Sequence, residues 1–237
     1  MTFPPRVGKL LVMGVRISHD RYGIPAKLDD AAVHGGGSGA ELFVVEGDSA
    51  AASVSRVRDP RFQAVLPMQG KPLNAVKASR QKVVSHAFFG PLIAALGTGI
   101  DADFRLGGLR YDRVLLLMDP DADGIHCGVL MLLFFHRWMR PVLEAGRIEI
   151  VRAPWGEVSV AGDPTVHLAR SEPELTALAG RLQESGATTV RRYRGLAGID
   201  ATVIRDTCVV PATRRVERVG VAEVEAMIAM LAAIEPA

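Results

Sequence analysis

Two stretches decide the fold: Glu41-Leu-Phe-Val-Val-Glu-Gly-Asp-Ser49 and Arg113-Val-Leu-Leu-Leu-Met-Asp-Pro-Asp-Ala-Asp-Gly124. Each opens with a short apolar run and ends in acidic and glycine residues, as expected for a buried strand that breaks into a loop. Ser49 is a candidate N-cap for a helix from Ala50, and residues 125–139 are predicted to form an apolar-faced helix. Buried strands alternating with helices predict an α/β fold with a mainly parallel sheet flanked by helices.

Weaker patterns complete the predicted organisation. Residues 147–151 are a third strand candidate, and residues 79–96 suggest helical turns broken near Gly90-Pro91. Beyond about residue 155 the pattern weakens, with helical candidates at 172–185 and 221–234. We therefore predict three regions: an N-terminal extension and linker (1–40), the sheet domain (41–160) and a C-terminal tail subdomain (161–237).

Composition places the chain among ordinary globular proteins. Of its 237 residues, 49% are hydrophobic and 23% charged, which excludes a mainly disordered chain. Its two cysteines cannot form a disulfide framework, so a reducing compartment is expected. The longest apolar run, 129–135, is far shorter than the roughly 20 residues that span a bilayer. We expect a cytoplasmic protein with no membrane contact.

The net charge of +2 conceals a strong segregation along the sequence. Residues 52–82 contain seven basic residues against Asp59 alone, and residues 191–220 contain seven arginines against three acidic residues. Such clustering fits contact with a polyanion beside an acidic region. Solvated charges on two surface loops explain the same counts equally well.

Acidic side chains follow both predicted strands: Glu46 after the first, and Asp119, Asp121 and Asp123 after the second. Ligands bind at the carboxyl ends of the strands in open parallel sheets, and carboxylates there suit Mg²⁺. A calcium loop is excluded, because its twelfth position would be Leu130 and a strand precedes it. The alternative is a turn whose aspartates only cap the following helix.

The two acidic motifs, in this order, resemble a known family, the TOPRIM domain of the B subunit of bacterial DNA gyrase and topoisomerase IV. Collinear similarity covers about residues 24–160 and 191–218. It is carried by Glu41–Ala50, Phe62–Pro67, Gly70-Lys-Pro-Leu-Asn74, Ala95–Ile100, Leu109-Arg-Tyr111, Asp119–His126, Arg192-Tyr-Arg-Gly-Leu196 and Pro211-Ala-Thr-Arg214.

The resemblance implies a Rossmann-like TOPRIM fold and assigns roles by position. Glu46 matches the catalytic glutamate, a metal ligand that also exchanges a proton with a deoxyribose oxygen. Asp119 would bind either or both of two Mg²⁺ ions and Asp121 the second, while Asp123 completes the acidic patch. Lys71, Asn74 and Arg194 match DNA-contacting positions. A metal ion there would stabilise charge on the reacting phosphate.

Several residues depart from the family pattern. Ala51-Ala52 replaces two glycines, Gln69 and Gly128 each replace an arginine, Pro120 stiffens the acidic loop, and Arg194 replaces a lysine. All four acidic residues are nevertheless present, which favours retained metal binding.

The resemblance implies a Mg²⁺-dependent DNA cleavage and religation module of a type IIA topoisomerase. We expect no ATP site, since the roughly 40 residues before Glu41 are too few for the ATPase domain. Tyr111 and Tyr193 do not match the nucleophile, which the A subunit supplies. Expected partners are double-stranded DNA, that A subunit and a separate ATPase chain, in a nucleoid-associated setting. A non-catalytic modulator that binds DNA or the A subunit is the main alternative, and a nuclease or primase acting alone is a third.

Overall fold

A computed structural model of the protein describes residues 23–234, with side chains to residue 230; residues 1–22 of the predicted extension lie outside this range. The strands are β1 (Glu41–Glu46), β2 (Gln63–Met68), β3 (Arg113–Leu117), β4 (Ile148–Val151), β5 (Gly156–Val160), β6 (Val166–Ala169), β7 (Thr188–Arg192) and β8 (Val216–Arg218). The helices are α1 (Gly47–Ser55), α2 (Arg80–Val84), α3 (Phe89–Leu96), α4 (Ala122–Trp138), α5 (Arg140–Glu144), α6 (Glu172–Gln183), α7 (Ala201–Ile204) and α8 (Val221–Ile234).

The main sheet has the strand order β2-β1-β3-β4-β8. The first four strands are parallel, and β8 adds to β4 in the antiparallel direction. Pro67 lies in β2, an edge strand, where its missing N–H costs no ladder hydrogen bond. The predicted α/β class with a mainly parallel sheet is confirmed.

Helices cover both faces of this sheet. Side chains alternate along each strand, so Leu42 and Val44 pack with α3, α4 and α5, whereas Phe43 and Val45 face the opposite layer. That second layer consists of α1 and the segment 193–209. The tail therefore forms part of the core, because it covers a face that would otherwise expose apolar side chains.

A second sheet, of order β6-β5-β7, follows the first and is antiparallel throughout. Helix α6 packs on it through a small core of Val158, Ala169, Leu175 and Leu178. The sequence predicted α6 but none of these three strands. Buried and half-buried residues alternate along β5, whereas β6 and β7 show no such alternation.

Three predicted helix boundaries are wrong. Helix α1 begins at Gly47 instead of Ala50, because Gly47 adopts a φ of 70° and turns the chain directly from strand into helix. Helix α4 begins at Ala122 instead of Ile125, with Asp121 as its N-cap. The helical segment 79–96 breaks between Val84 and Phe89, and Pro91 lies in the first turn of α3, where no N–H is needed.

The described part of the predicted extension, residues 23–40, packs against the main sheet. Asp29 pairs with Val65 as an isolated antiparallel bridge, and Asp30 accepts a hydrogen bond from the buried Tyr111 hydroxyl at 2.6 Å. Within residues 23–234, no helix combines the length and the apolar character that crossing a bilayer demands.

Candidate metal centre

Three neighbouring parallel strands deliver polar side chains to one edge of the main sheet. β1 ends in Glu46, β3 is followed by Met118 and Asp119, and β2 is followed by the turn that carries Lys71. Because the carboxyl ends of parallel strands meet at one edge, residues far apart in sequence become neighbours. A cavity of about 330 Å³ opens there, and its lining includes Glu46, Lys71, Asp123 and Cys127.

Glu46 is half-buried and is held by a backbone group of the adjacent strand end. Its Oε1 accepts a hydrogen bond from the N–H of Asp119 at 3.0 Å. Burial raises the pKa of the Glu46 carboxyl, and the charges of Asp119 and Asp121 raise it further, although the Asp119 N–H opposes this shift. The side chain is therefore poised to take up a proton more readily than an exposed glutamate.

Asp119 lies beside Glu46 and is held from the tail. Its Oδ1 accepts a hydrogen bond from the N–H of Leu196 at 2.8 Å. Burial is the main cause that raises the pKa of Asp119, the Leu196 N–H lowers it, and the Asp121 charge raises it. The charged forms of Glu46 and Asp119 are therefore both disfavoured, and a bound cation would relieve this cost.

Asp121 and Asp123 are engaged differently. Oδ1 of Asp121 caps α4 by accepting from the N–H of Gly124 at 2.8 Å, so the helix-capping alternative describes part of its role. Oδ1 of Asp123 accepts from Nζ of Lys71 at 2.9 Å. This hydrogen bond lowers the pKa of Asp123 and raises that of Lys71. Both of these side chains are exposed, so the pair is open to exchange with other ions.

The donor set fits Mg²⁺ with waters retained. Among residues 23–234, no three histidine, cysteine, aspartate or glutamate side chains are grouped closely enough to hold a metal ion by themselves. Mg²⁺ is usually bound through one or two carboxylates, its own waters and substrate phosphates, so a complete protein cage is not required. Glu46 and Asp119 offer one carboxylate each for such a site.

The three residues expected to contact DNA are all exposed. Asn74 follows Lys71 in the same turn, and its Oδ1 accepts from the N–H of Val76 at 3.1 Å. Arg194 lies between β7 and the Asp119-binding Leu196, and within the described chain its guanidinium has no hydrogen-bond or ion-pair partner that the structure records. Lys71 lines the cavity, whereas Asn74 and Arg194 are not among its lining residues.

Much of the segregated basic charge is paired inside the molecule. Arg214 forms a buried ion pair with Glu41, and Arg58 pairs with Asp29. Other arginines of the two basic regions form more exposed ion pairs: Arg61–Asp59, Arg80–Asp103, Arg191–Glu157, Arg192–Glu172 and Arg205–Asp206. The counts of basic residues therefore overstate the charge that these regions offer to a polyanion.

Two contacts at the site were not predicted from the sequence. Cys127, expected to be an ordinary thiol, is buried within hydrogen-bonding reach of the Glu46 carboxylate, and burial raises its pKa to about 11. Cys127 lies four residues after Asp123 on α4, so the two share one face of the helix, and this spacing could have placed Cys127 near the site. No sequence signal could have identified the contact of the Leu196 N–H with Asp119, because a backbone donor has no sequence signature.

The fold and site define a class, an α/β domain whose parallel sheet presents a glutamate and an aspartate-rich loop at its carboxyl edge. Residues 41–153 match the Toprim domain family, so this part of the chain is a Toprim domain. Over most of its length it is also homologous to the B subunits of bacterial DNA gyrase and topoisomerase 4.

Three relatives illustrate this similarity. The chain is 36% identical over 200 residues to the DNA gyrase B subunit of Treponema denticola, covering 84% of this chain and 31% of that protein. It is 38% identical over 200 residues to the DNA gyrase B subunit of Thermus thermophilus, covering 83% and 31%. It is 37% identical over 181 residues to the DNA topoisomerase 4 B subunit of Streptococcus pneumoniae, covering 76% and 28%. The chain thus spans about a third of the length of these curated relatives.

Proposed function

We propose that the chain is a Mg²⁺-dependent DNA cleavage and religation module of the type IIA topoisomerase B-subunit kind. In this proposal it acts in the cytoplasm, in association with the nucleoid, on double-stranded DNA. A tyrosine-bearing A subunit supplies the nucleophile. Residues 41–160 form the TOPRIM domain, residues 161–237 the tail, and residues 1–40 the extension.

One observation carries the proposal: the N–H of Asp119 hydrogen-bonds Oε1 of Glu46 at 3.0 Å at the carboxyl ends of two adjacent parallel strands. This contact holds Oε1 of Glu46 against the backbone of Asp119, and burial raises the pKa of both carboxyls. Glu46 lines the cavity at this edge of the sheet, and Asp119 lines a different one. Carboxyl groups with raised pKa values in accessible cavities are candidates for proton transfer and cation binding.

Each acidic residue of the site has its own role in the proposed reaction. Glu46 would hold or release a proton at Oε2, the oxygen that is not engaged by the Asp119 N–H. Glu46, Asp119 and Asp121 would hold Mg²⁺ together with waters and phosphate oxygens, and the ion would supply positive charge to neutralise and orient the reacting phosphate. One or two ions are compatible with this donor set. Asp123 holds Lys71 at the mouth of the cavity until a phosphate replaces the carboxylate as its partner.

Binding of DNA would rest on the cations and the amide at this edge of the sheet. Lys71, Asn74 and Arg194 are exposed, and phosphate contacts of this kind position the duplex without reading its sequence. The altered positions Gln69, Pro120 and Gly128 favour the second candidate, a non-catalytic module that binds DNA or an A subunit and modulates a complete enzyme.

The test combines the chain with an A subunit from the same organism, plasmid DNA and Mg²⁺ without ATP. Detergent and protease then trap broken strands, and linear DNA is measured on a gel. The Glu46→Gln variant removes the ionisable group but keeps the Oε1 acceptor. Glu144→Gln, on the surface of α5, is the matched control.

Linear DNA that requires both the A subunit and Glu46 supports the proposed module. Equal cleavage by Glu46→Gln contradicts the catalytic role of this residue. Product from the chain without an A subunit indicates a nuclease. Absence of product, together with binding to DNA or to the A subunit, supports the modulator.

A further inference from the structure

The tail returns to the acidic edge of the main sheet immediately after β7. Tyr193 and Leu196 are buried in the second layer of the core, which fixes the backbone between them. At this point the N–H of Leu196 donates to Oδ1 of Asp119 at 2.8 Å, across 77 residues of sequence. A charge-assisted hydrogen bond from an anchored backbone group restricts the rotation of the carboxylate.

Gly195 contacts the other side of the same carboxylate. A Cβ atom at residue 195 would lie 3.0 Å from Oδ2, 3.3 Å from Cγ and 3.4 Å from Oδ1 of Asp119. The φ of Gly195 is −167°, extended backbone that any residue adopts, so the conformation does not demand glycine. Glycine is favoured at residue 195 because a side chain there would crowd the Asp119 carboxylate.

We propose that Gly195 and the N–H of Leu196 are positioning groups for Asp119. The N–H holds Oδ1, and the missing side chain at residue 195 lets Oδ2 remain free to face a divalent cation. The inference rests on the proposed metal-binding function. It places an essential part of the cation site outside residues 41–153, the region that matches the Toprim family.

The chain contains a matched control in the same turn. Gly198 lies three residues after Gly195 and donates through its N–H to the carbonyl of Gly195 at 3.0 Å. A Cβ atom at residue 198 would have no neighbouring atom within 4 Å. Alanine at residue 198 therefore makes the same change in backbone freedom without touching Asp119.

The first experiment measures Mn²⁺ binding to the full chain by the electron paramagnetic resonance signal of free Mn²⁺. Partners that orient a ligand typically change metal affinity by about 10- to 100-fold when they are mutated. We expect about tenfold or greater weakening in Gly195→Ala and less than about twofold change in Gly198→Ala. Circular dichroism and Tm establish that each variant is folded.

The second experiment tests the contact without any metal. Hydrogen exchange measured by NMR should show a protected Leu196 amide in the metal-free protein, with the Gly198 amide as an internal reference. Asp119→Ala removes the acceptor, so we expect faster exchange at Leu196 and no change at Gly198. This comparison needs no substitution in the turn and stands even if Gly195→Ala does not fold.

The outcomes separate this inference from the proposed function. A folded Gly195→Ala that binds Mn²⁺ as tightly as the unaltered chain overturns the positioning role and leaves the metal site standing. An unprotected Leu196 amide, or one unaffected by Asp119→Ala, also overturns it. If the unaltered chain binds no Mn²⁺, the metal-dependent function itself fails, and the inference with it.

Discussion

The backbone N–H of Asp119 donates a hydrogen bond to Oε1 of Glu46, which ties together the carboxyl ends of β3 and β1. Both side chains are half-buried. Burial raises the pKa of each, and neighbouring aspartate charge adds to both shifts. The metal-free protein therefore retains a site that is unfavourable to ionise.

Glu46→Gln should stabilise the metal-free protein at neutral pH. The folded-state pKa of Glu46 lies above its ordinary value of 4.5, so its contribution to stability is present below that value and is lost as pH rises through the folded pKa. Glutamine does not titrate and can still accept from the Asp119 N–H. We expect a higher Tm for Glu46→Gln than for the unaltered chain at pH 7.

Thermal unfolding between pH 4 and pH 8, with a chelator present, checks this prediction. The advantage of the variant should shrink to nothing near pH 4, where the glutamate is protonated in both states. A Tm difference that is constant across the range would mean that ionisation of Glu46 is not its cause.

Lys71→Ala should weaken DNA binding without lowering stability. The Lys71–Asp123 pair is exposed, so its loss leaves Tm unchanged. Loss of one phosphate contact should reduce the slope of log K against log salt by about 1, for any DNA sequence. Arg61→Ala is the control, because Arg61 precedes β2 at the opposite end of the strand from Lys71. Equal salt slopes for both variants would argue against a phosphate contact at Lys71.

Two glycines of α4 should respond to alanine in opposite directions. A Cβ at Gly124 would lie 2.1 Å from the carbonyl oxygen of Asp119 and 2.7 Å from Oε1 of Glu46, so Gly124→Ala should cost about 1 to 3 kcal/mol. At Gly128 the nearest atom is Cγ of Met118 at 3.8 Å, and alanine should stabilise the helix by up to about 1 kcal/mol. Urea unfolding measures both, and destabilisation by Gly128→Ala would contradict the open space seen there.

Arg214→Ala should be the most destabilising of these substitutions. Nη1 of Arg214 lies 2.7 Å from Oε2 of Glu41, and both side chains are almost fully buried. Removing one partner of a buried pair costs about 3 to 5 kcal/mol. Within the described chain, the Glu41 carboxylate would keep only Nε2 of Gln63 at 2.9 Å and Nη1 of Arg113 at 3.8 Å. Arg205→Ala, which breaks an exposed pair with Asp206, should cost no more than about 1 kcal/mol.

Urea unfolding of a double variant isolates the cause of that loss. Arg214→Met with Glu41→Gln removes both charges, so it should be less destabilised than Arg214→Ala alone. A double variant that is as unstable as Arg214→Ala would mean that the lost stability comes from packing and not from the buried charge of Glu41.

Local patterns in the sequence predicted three of the five strands of the main sheet, β1, β3 and β4, and the elements that carry the acidic residues. The apolar runs at 41–45 and 113–117 have no alternation, since both faces of a central parallel strand are buried, and this made them recognisable. The same reasoning located Glu46 and Asp119 at strand ends. It missed β2 and β8 of the main sheet and the whole second sheet, β5, β6 and β7. The exposed residues of β6 and β7 resemble those of a loop.

Tertiary structure alone decided which groups contact these carboxyls. The Leu196 amide reaches Asp119 from 77 residues away, and Arg214 reaches Glu41 from 173 residues away. Neither contact follows from periodicity, because each depends on how the tail packs over the second face of the sheet. The sequence determined which residues could carry the chemistry, whereas the fold decided which backbone groups hold them in place.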